Sequence, residues 1–90
     1  MSIDANRVWQ RIRNHAGHEF RQIRGKVFTY RVPSPRTIRL DTTNRMISRT
    51  AIEKALERVP LRATTVVRDL SAPSYIYAIL MDERIRRSDW

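Results

Sequence analysis

Apolar residues recur at two different spacings along this chain, and the change of spacing predicts where helix gives way to strand. Four apolar residues near the start follow the i, i+3, i+4, i+7 spacing of one buried helix face: Ala5, Val8, Trp9 and Ile12. We therefore expect a helix over 4–16, with Asp4 or Ser2 as its N-cap. Gly17 follows and is a natural stop, because glycine accepts the left-handed conformation in which many helices end.

Alternation replaces the helical spacing over residues 18–32 and predicts a β-hairpin. Residues 20–23 supply the first strand, and residues 27–32, nearly all good strand formers, supply the second. The turn is expected at 24–26, where Gly25 can take a positive φ.

Two registers are open for this hairpin. A two-residue loop pairs Ile23 with Phe28, whereas a three-residue loop over 24–26 pairs Phe20 with Tyr30. A slip of one residue moves every side chain to the other face of the sheet. We favour the three-residue loop because it gathers the aromatic side chains on one face.

The next segment predicts one full strand and one short one. Residues 33–35 (Pro-Ser-Pro) are expected to break the sheet, since proline cannot donate a ladder hydrogen bond. A third strand over 36–41 follows, with Ile38 and Leu40 on its buried side. Residues 45–47 are a candidate for a short fourth strand.

The second half of the chain predicts helices. One over 50–59 begins with a capping box of Thr50 and Glu53 and ends at Pro60. Residues 61–71 connect it to the last helix and include a possible short strand at 64–67.

The last helix is expected to start at Pro73 and run to about Arg86 or Arg87. Its apolar residues are too many for a narrow stripe: Tyr75, Ile76, Ala78, Ile79, Leu80 and Ile85. This helix is therefore either deeply buried or shared with a partner.

These elements predict an α+β fold: an N-terminal helix, a small antiparallel sheet of three or four strands with a basic β-hairpin, and two C-terminal helices. The length of 90 residues predicts a single domain over 1–90, and an apolar content of 41% is enough for one core. The longest apolar run, 75–81, is far shorter than the ~20 residues of a bilayer span. The first residues lack the features of a secretory signal, so we expect a cytoplasmic protein.

Positive charge is concentrated in the first half of the chain. The formal net charge is +9, and residues 1–47 hold ten cations against three anions. A GC-rich genome explains why 16 of the 18 cations are arginine, but it does not explain their excess over acids. A basic domain of this kind is typical of polyanion binders, and we expect nucleic acid as the partner, with DNA favoured over RNA.

The hairpin and the strand after it carry the best candidates for phosphate contacts. We call the predicted contact residues the predicted basic set: Arg21, Arg24, Lys26, Arg31, Arg36 and Arg39, flanked by Arg7 and Arg11. A two-stranded ribbon fits a DNA major groove, and arginine has the fork geometry for phosphate and guanine.

Catalytic and metal chemistry find little support in the sequence. The chain has no cysteine, and its two histidines, His15 and His18, do not have zinc-protease spacing. We therefore assign no catalytic residue, no metal ligand and no cofactor.

A metal-free ribonuclease or toxin acting on RNA is the alternative, since it needs only an acid, a base and cations. Its candidates lie in and beside the hairpin: His18, Glu19, Arg21, Arg24, Tyr30 and Arg31. The helix–three-strand–helix order resembles that of double-stranded-RNA-binding folds, including some small basic toxins that cut RNA. The turn at 24–26 has no histidine after its glycine, so no catalytic residue is carried over.

A second alternative is a protein-interaction module. Its basic half docks an acidic partner, and its last helix forms a homodimer or a complex. The residue types enriched at interfaces in this region are Tyr75, Tyr77, Leu80, Met81 and Trp90.

Overall fold

The computed structural model describes residues 3–90. In chain order the elements are α1 (Ala5–Asn14), β1 (Phe20–Arg21), β2 (Val27–Phe28), β3 (Tyr30–Ser34), β4 (Thr37–Leu40), β5 (Met46–Ser48), α2 (Arg49–Leu56), a 3₁₀ helix (Thr64–Val67), α3 (Pro73–Leu80) and α4 (Glu83–Arg86). The predicted α+β class is confirmed.

Asp4 caps α1 by accepting from the amide of Asn6 at 2.9 Å. Ser2, the other candidate cap, lies outside the described residues.

The strand predicted over 27–32 divides at Thr29 and serves two antiparallel sheets, β1–β2 and β3–β4–β5. Thr29 O accepts from the amide of Asp41 at 3.0 Å, and Tyr30 O accepts from the amide of Gly17 at 2.8 Å. Successive residues of a strand direct their backbone groups to opposite edges. The chain at 29–30 therefore bonds the residue after β4 along one edge and the segment before β1 along the other.

The hairpin register differs from both expectations, since Phe20 pairs with Phe28. The loop has three residues, as favoured, but they are 23–25: Gln22 N bonds Lys26 O at 2.9 Å, and Gly25 N bonds Gln22 O at 2.8 Å. Three-residue hairpin loops place the left-handed residue last. Gly25, with φ of 88°, takes that last position and shifts the pairing by two residues. An even shift preserves the faces, so the aromatic side chains lie together as expected.

The sheet does not break at Pro33. β3 continues to Ser34, which pairs with Thr37, and the chain turns at 35–36. The register shifts between Arg31 and Ser34. Such an irregularity accommodates Pro33, which has no N–H for the ladder.

Two helix boundaries differ from the predicted ones because different side chains cap them. Ser48 Oγ accepts from the amide of Ala51 at 3.1 Å, so α2 begins at Arg49 and the capping box at Thr50 does not form. The predicted last helix divides into α3 and α4, since Asp82 accepts from the amide of Arg84 at 2.9 Å and starts a new helix. The possible strand at 64–67 is a 3₁₀ helix instead.

The helices pack on the inward face of the sheets. The buried side chains on that face are Phe20, Phe28, Tyr30, Ile38, Leu40 and Ile47. Tyr30 donates its hydroxyl to Ile12 O of α1 at 2.5 Å, and Phe28 meets Tyr75 of α3 edge to face at 4.9 Å. None of the helices in the described part of the chain has the length and apolar character of a transmembrane helix.

Tyr75 and Leu80, two of the five residues predicted to contact a protein partner, belong to this core. Tyr75 is 8% exposed and Leu80 is fully buried. Tyr77 and Met81 are half-buried and pack against the core. The many apolar residues of the last helix therefore reflect burial within the chain itself.

Burial also raises the pKa of Tyr30 well above its ordinary value. The unfolded chain therefore loses this phenolic proton near pH 10 while the folded chain keeps it. We expect stability to be fully present below pH ~10 and to fall above it by up to about 1.4 kcal/mol per pH unit. Urea unfolding between pH 8 and 11 measures this slope. Tyr30→Phe should make the alkaline loss shallower, and parallel curves for the two proteins would contradict the assignment.

Candidate nucleic-acid interface

Four of the five strands come from a stretch of chain that contains no carboxylate. Residues 20–40 carry six cations and no Asp or Glu. This stretch forms β1, β2, β3 and β4. Its cations therefore have no carboxylate partner within their own strands.

Strand alternation turns most of these cations away from the core. The side chains opposite the buried aromatic residues form what we call the outer face: Arg21, Val27, Thr29, Arg31, Arg39 and Met46. Thr29 and Arg31 both reach the carboxylate of Asp41, which shows that they lie on the same side of the strand. The outer face crosses both sheets because the chain over 27–34 belongs to both.

Two arginines lie directly opposite each other on the outer face. Arg31 of β3 pairs with Arg39 of β4. Cross-strand Cβ atoms lie roughly 4.5–5.5 Å apart, and like charges at that spacing are destabilising. Asp41 offsets part of this repulsion by accepting from Arg31 Nε at 3.0 Å, while the Arg39 guanidinium donates to the amide oxygen of Asn44 at 3.1 Å. The pair thus retains net positive charge.

Asp41 is held in its ionised form. A hydrogen bond from Thr29, together with Arg31 and Arg39 nearby, lowers the pKa of its carboxyl. Asp41 therefore stays charged at neutral pH and orients Arg31. Its single negative charge does not neutralise both Arg31 and Arg39.

A second group of cations surrounds the hairpin loop, and we call it the tip cluster: Arg21, Arg24 and Lys26. Arg24 and Lys26 are exposed. Arg21 Nη1 reaches Gly25 O at 3.5 Å, which brings its charge from β1 to the loop. Among residues 3–90, no carboxylate lies within ion-pair distance of these three side chains.

The tip cluster and the arginine pair are close to each other along the chain. Val27, beside the loop, is four residues from Arg31, which is about 13 Å of extended chain. Duplex DNA rises 3.4 Å per base pair along its helix axis, so this distance corresponds to at most about four base pairs of axial length. One backbone segment can therefore contact both groups at once.

The structure does not bring the whole predicted basic set together. Arg7 and Arg11 lie on α1, on the far side of the sheet from the outer face. Arg11 is engaged within the chain: its Nη1 donates to Ile85 O at 2.9 Å and lies 2.6 Å from Asp89. Arg36 occupies the 35–36 turn, at the opposite end of the sheet from the tip cluster. Five of the eight predicted residues therefore belong to the outer face or the tip cluster: Arg21, Arg24, Lys26, Arg31 and Arg39.

The surface also contains exposed apolar side chains that the sequence did not predict there. Met46 is 49% exposed, and Val27 is 37% exposed. Met46 lies opposite Arg39, a neighbour that only the strand register reveals. The exposure of Ile23, at 65%, follows from the position of the hairpin loop.

Two of the residues suggested for a metal-free ribonuclease lie on opposite faces of the sheet. Tyr30 is fully buried with its hydroxyl bonded to Ile12 O, whereas Arg31 projects from the opposite face. His18 is exposed and packs edge to face on His15 at 5.4 Å. The described residues contain no group of three or more side chains able to hold a metal ion.

Comparisons with known proteins find no similar family. No family model matches the chain, and neither a curated protein nor a solved structure matches it. We therefore infer a function from the geometry of the surface itself.

Proposed function

We propose that the outer face and the tip cluster bind the phosphate backbone of nucleic acid, with duplex DNA as the favoured partner and no catalytic step. The observation that carries this proposal is the stretch 20–40, which contains no carboxylate and places five of its six cations, all exposed, on the outer face and around the hairpin loop. A bound polyanion would relieve the resulting repulsion, which the Asp41 carboxylate offsets in part.

Arginine chemistry supports phosphate as the ligand. A guanidinium donates two parallel hydrogen bonds to phosphate oxygens, and such charge-assisted bonds are about twice as strong as neutral ones. A phosphate between Arg31 and Arg39 offsets their repulsion as well as gaining these bonds. The tip cluster adds three more cations at a distance that one backbone segment spans.

The shape of the surface favours DNA over double-stranded RNA. The B-form major groove is about 12 Å wide and admits a two-stranded ribbon. The A-form major groove is deep and narrow, and side chains cannot read it. A short hairpin with a cationic loop suits the wider groove.

The salt dependence of binding tests the proposal. If all five side chains contact phosphate, the slope of log affinity against log salt is about −4.5, so affinity falls about 500-fold between 50 and 200 mM salt. Fluorescence anisotropy with a labelled duplex measures both values. Affinity that does not change with salt would remove the electrostatic basis of the proposal.

A competition arm separates nucleic acid from an acidic protein partner. An unlabelled duplex should displace the labelled one at low micromolar concentration, whereas an acidic polypeptide of equal charge should require far more. Equal displacement by both would show a general cation surface and contradict a nucleic-acid function.

A further inference from the structure

A cleft lies along the edge of the hairpin, between the loop and α3. Its lining combines apolar walls with one cation and one carboxylate: Arg21, Ile23, Tyr77, Ala78, Met81 and Asp82. The proposed phosphate surface thus ends beside an apolar recess.

The walls of the cleft expose apolar side chains to water. Ile23 is 65% exposed, the highest value among the large exposed hydrophobic residues of the described chain. Tyr77 and Met81 are half-buried across the cleft from it. Nothing in the turn chemistry requires isoleucine at an exposed loop position, where polar residues are usual. A flat apolar ligand placed between Ile23 and Tyr77 would cover this surface.

The charge inside the cleft favours an anionic ligand. The Asp82 carboxylate is already occupied, because Arg84 binds it through Nε and Nη2, both at 2.9 Å. Arg84 itself is held over the ring of Phe20 at 4.3 Å. Arg21 is the cation at the cleft that lacks a carboxylate partner within residues 3–90.

A second cation stands on the other side of Ile23. Arg24 lines a neighbouring groove with Gln22, Thr64 and Ser74, and Ile23 borders both recesses. Arg21, Ile23 and Arg24 thus place an apolar side chain between two cations. A flat apolar group with a phosphate on either side would match this arrangement. A nucleotide within a strand has that chemistry.

We infer that the cleft holds one unpaired base of a bound nucleic acid, with its ring between Ile23 and Tyr77 and its flanking phosphates on Arg21 and Arg24. The inference rests on the proposed function and names the substrate feature that the site selects: a base outside the helical stack. Stacking on an aromatic side chain accepts any base, so the preference is for the unpaired state and not for a sequence.

Three probes test this inference by fluorescence anisotropy. They are a perfect DNA duplex, the same duplex with one unpaired 2-aminopurine, and the same duplex with an abasic site at that position. The protein should bind the 2-aminopurine probe about tenfold more tightly than the other two. Stacking should also quench the 2-aminopurine fluorescence.

Variants assign the preference to the cleft. Ile23→Ala should reduce the preference to under threefold without affecting the fold, because the side chain is largely exposed. Tyr77→Ala should also reduce the preference to under threefold, and Tyr77→Phe should retain it. Val66→Ala is the matched control, since Val66 is an exposed apolar residue outside the cleft lining. Its preference should equal that of the unmodified protein.

Each failure has a distinct meaning. Equal affinity for all three probes would overturn the cleft inference and leave the phosphate-binding proposal intact. A preference that survives both Ile23→Ala and Tyr77→Ala would place the base elsewhere and also overturn the inference. Failure to bind any probe would overturn the proposed function together with it.

Discussion

Replacing Arg24 and Lys26 together by glutamine should weaken duplex binding about 30-fold at 50 mM salt, equivalent to about 2 kcal/mol for two charge-assisted contacts. Both side chains belong to the tip cluster and have no carboxylate partner within residues 3–90. The salt slope should become shallower by about 1.8, because each phosphate contact contributes about 0.9 to it. Anisotropy titrations at several salt concentrations measure both changes.

Arg13→Gln with Lys54→Gln is the matched control, since it also removes one arginine and one lysine. Both control residues are exposed and lie on helices, away from the outer face. Affinity should change less than threefold, and thermal unfolding should be similar for all the proteins. Equal losses in the two double variants would show that net charge alone governs binding, which contradicts a defined interface.

Trp9→Ala should destabilise the fold by about 3–5 kcal/mol, the range for truncating a buried large aromatic residue. Trp9 is 3% exposed, and its indole Nε1 donates to Pro35 O at 2.9 Å. The side chain thus fills the core beneath α1 and also anchors the turn between β3 and β4. A chain of this length has a total stability of about 5–13 kcal/mol, so the loss is a large fraction of it.

Trp9→Phe separates packing from the hydrogen bond. It keeps most of the apolar volume and leaves Pro35 O without its donor, so we expect a loss of about 1–2 kcal/mol. Urea unfolding followed by circular dichroism at 222 nm compares the variants, and Val66→Ala, at an exposed site, should stay within about 0.5 kcal/mol of the parent. If Trp9→Ala unfolds at the same urea concentration as Trp9→Phe, the packing contribution is absent.

Local patterns predicted the elements and their buried sides well. The spacing of Val8, Trp9 and Ile12 defines the buried side of α1, and all three are buried. Alternation at Ile38 and Leu40 likewise gives the inward side of β4. These predictions succeed because burial of one face requires only a period, and a period is a local property of the chain.

Competition between neighbouring capping and turn residues explains the element boundaries that were predicted wrongly. Ser48 and Asp82 are good capping residues, and each begins a helix where a longer periodic pattern pointed elsewhere. Gly25 determines the loop as 23–25, a signal that was available because the left-handed residue comes last in such loops. The division of the strand at Thr29 had no local signal, since it depends on Asp41 and Gly17.

The candidate site was only partly accessible from sequence. The excess of cations in the first half predicted Arg21, Arg24, Lys26, Arg31 and Arg39, which are exposed on the strands and the hairpin loop. Arg11 belongs to the same charge pattern but bonds the carbonyl of Ile85, 74 residues away. No pattern near Arg11 distinguishes a structural cation from a free one.

By itself, the sequence determined the α+β class, the periodic faces and an excess of positive charge without carboxylates over residues 20–40. These are properties of composition and local spacing. Only the tertiary structure decided that Arg31 faces Arg39, that Arg11 is engaged with the C-terminal segment, and that Ile23 and Tyr77 border one cleft. Each of these depends on strand register or on packing between distant segments, and a single periodic pattern is compatible with several registers.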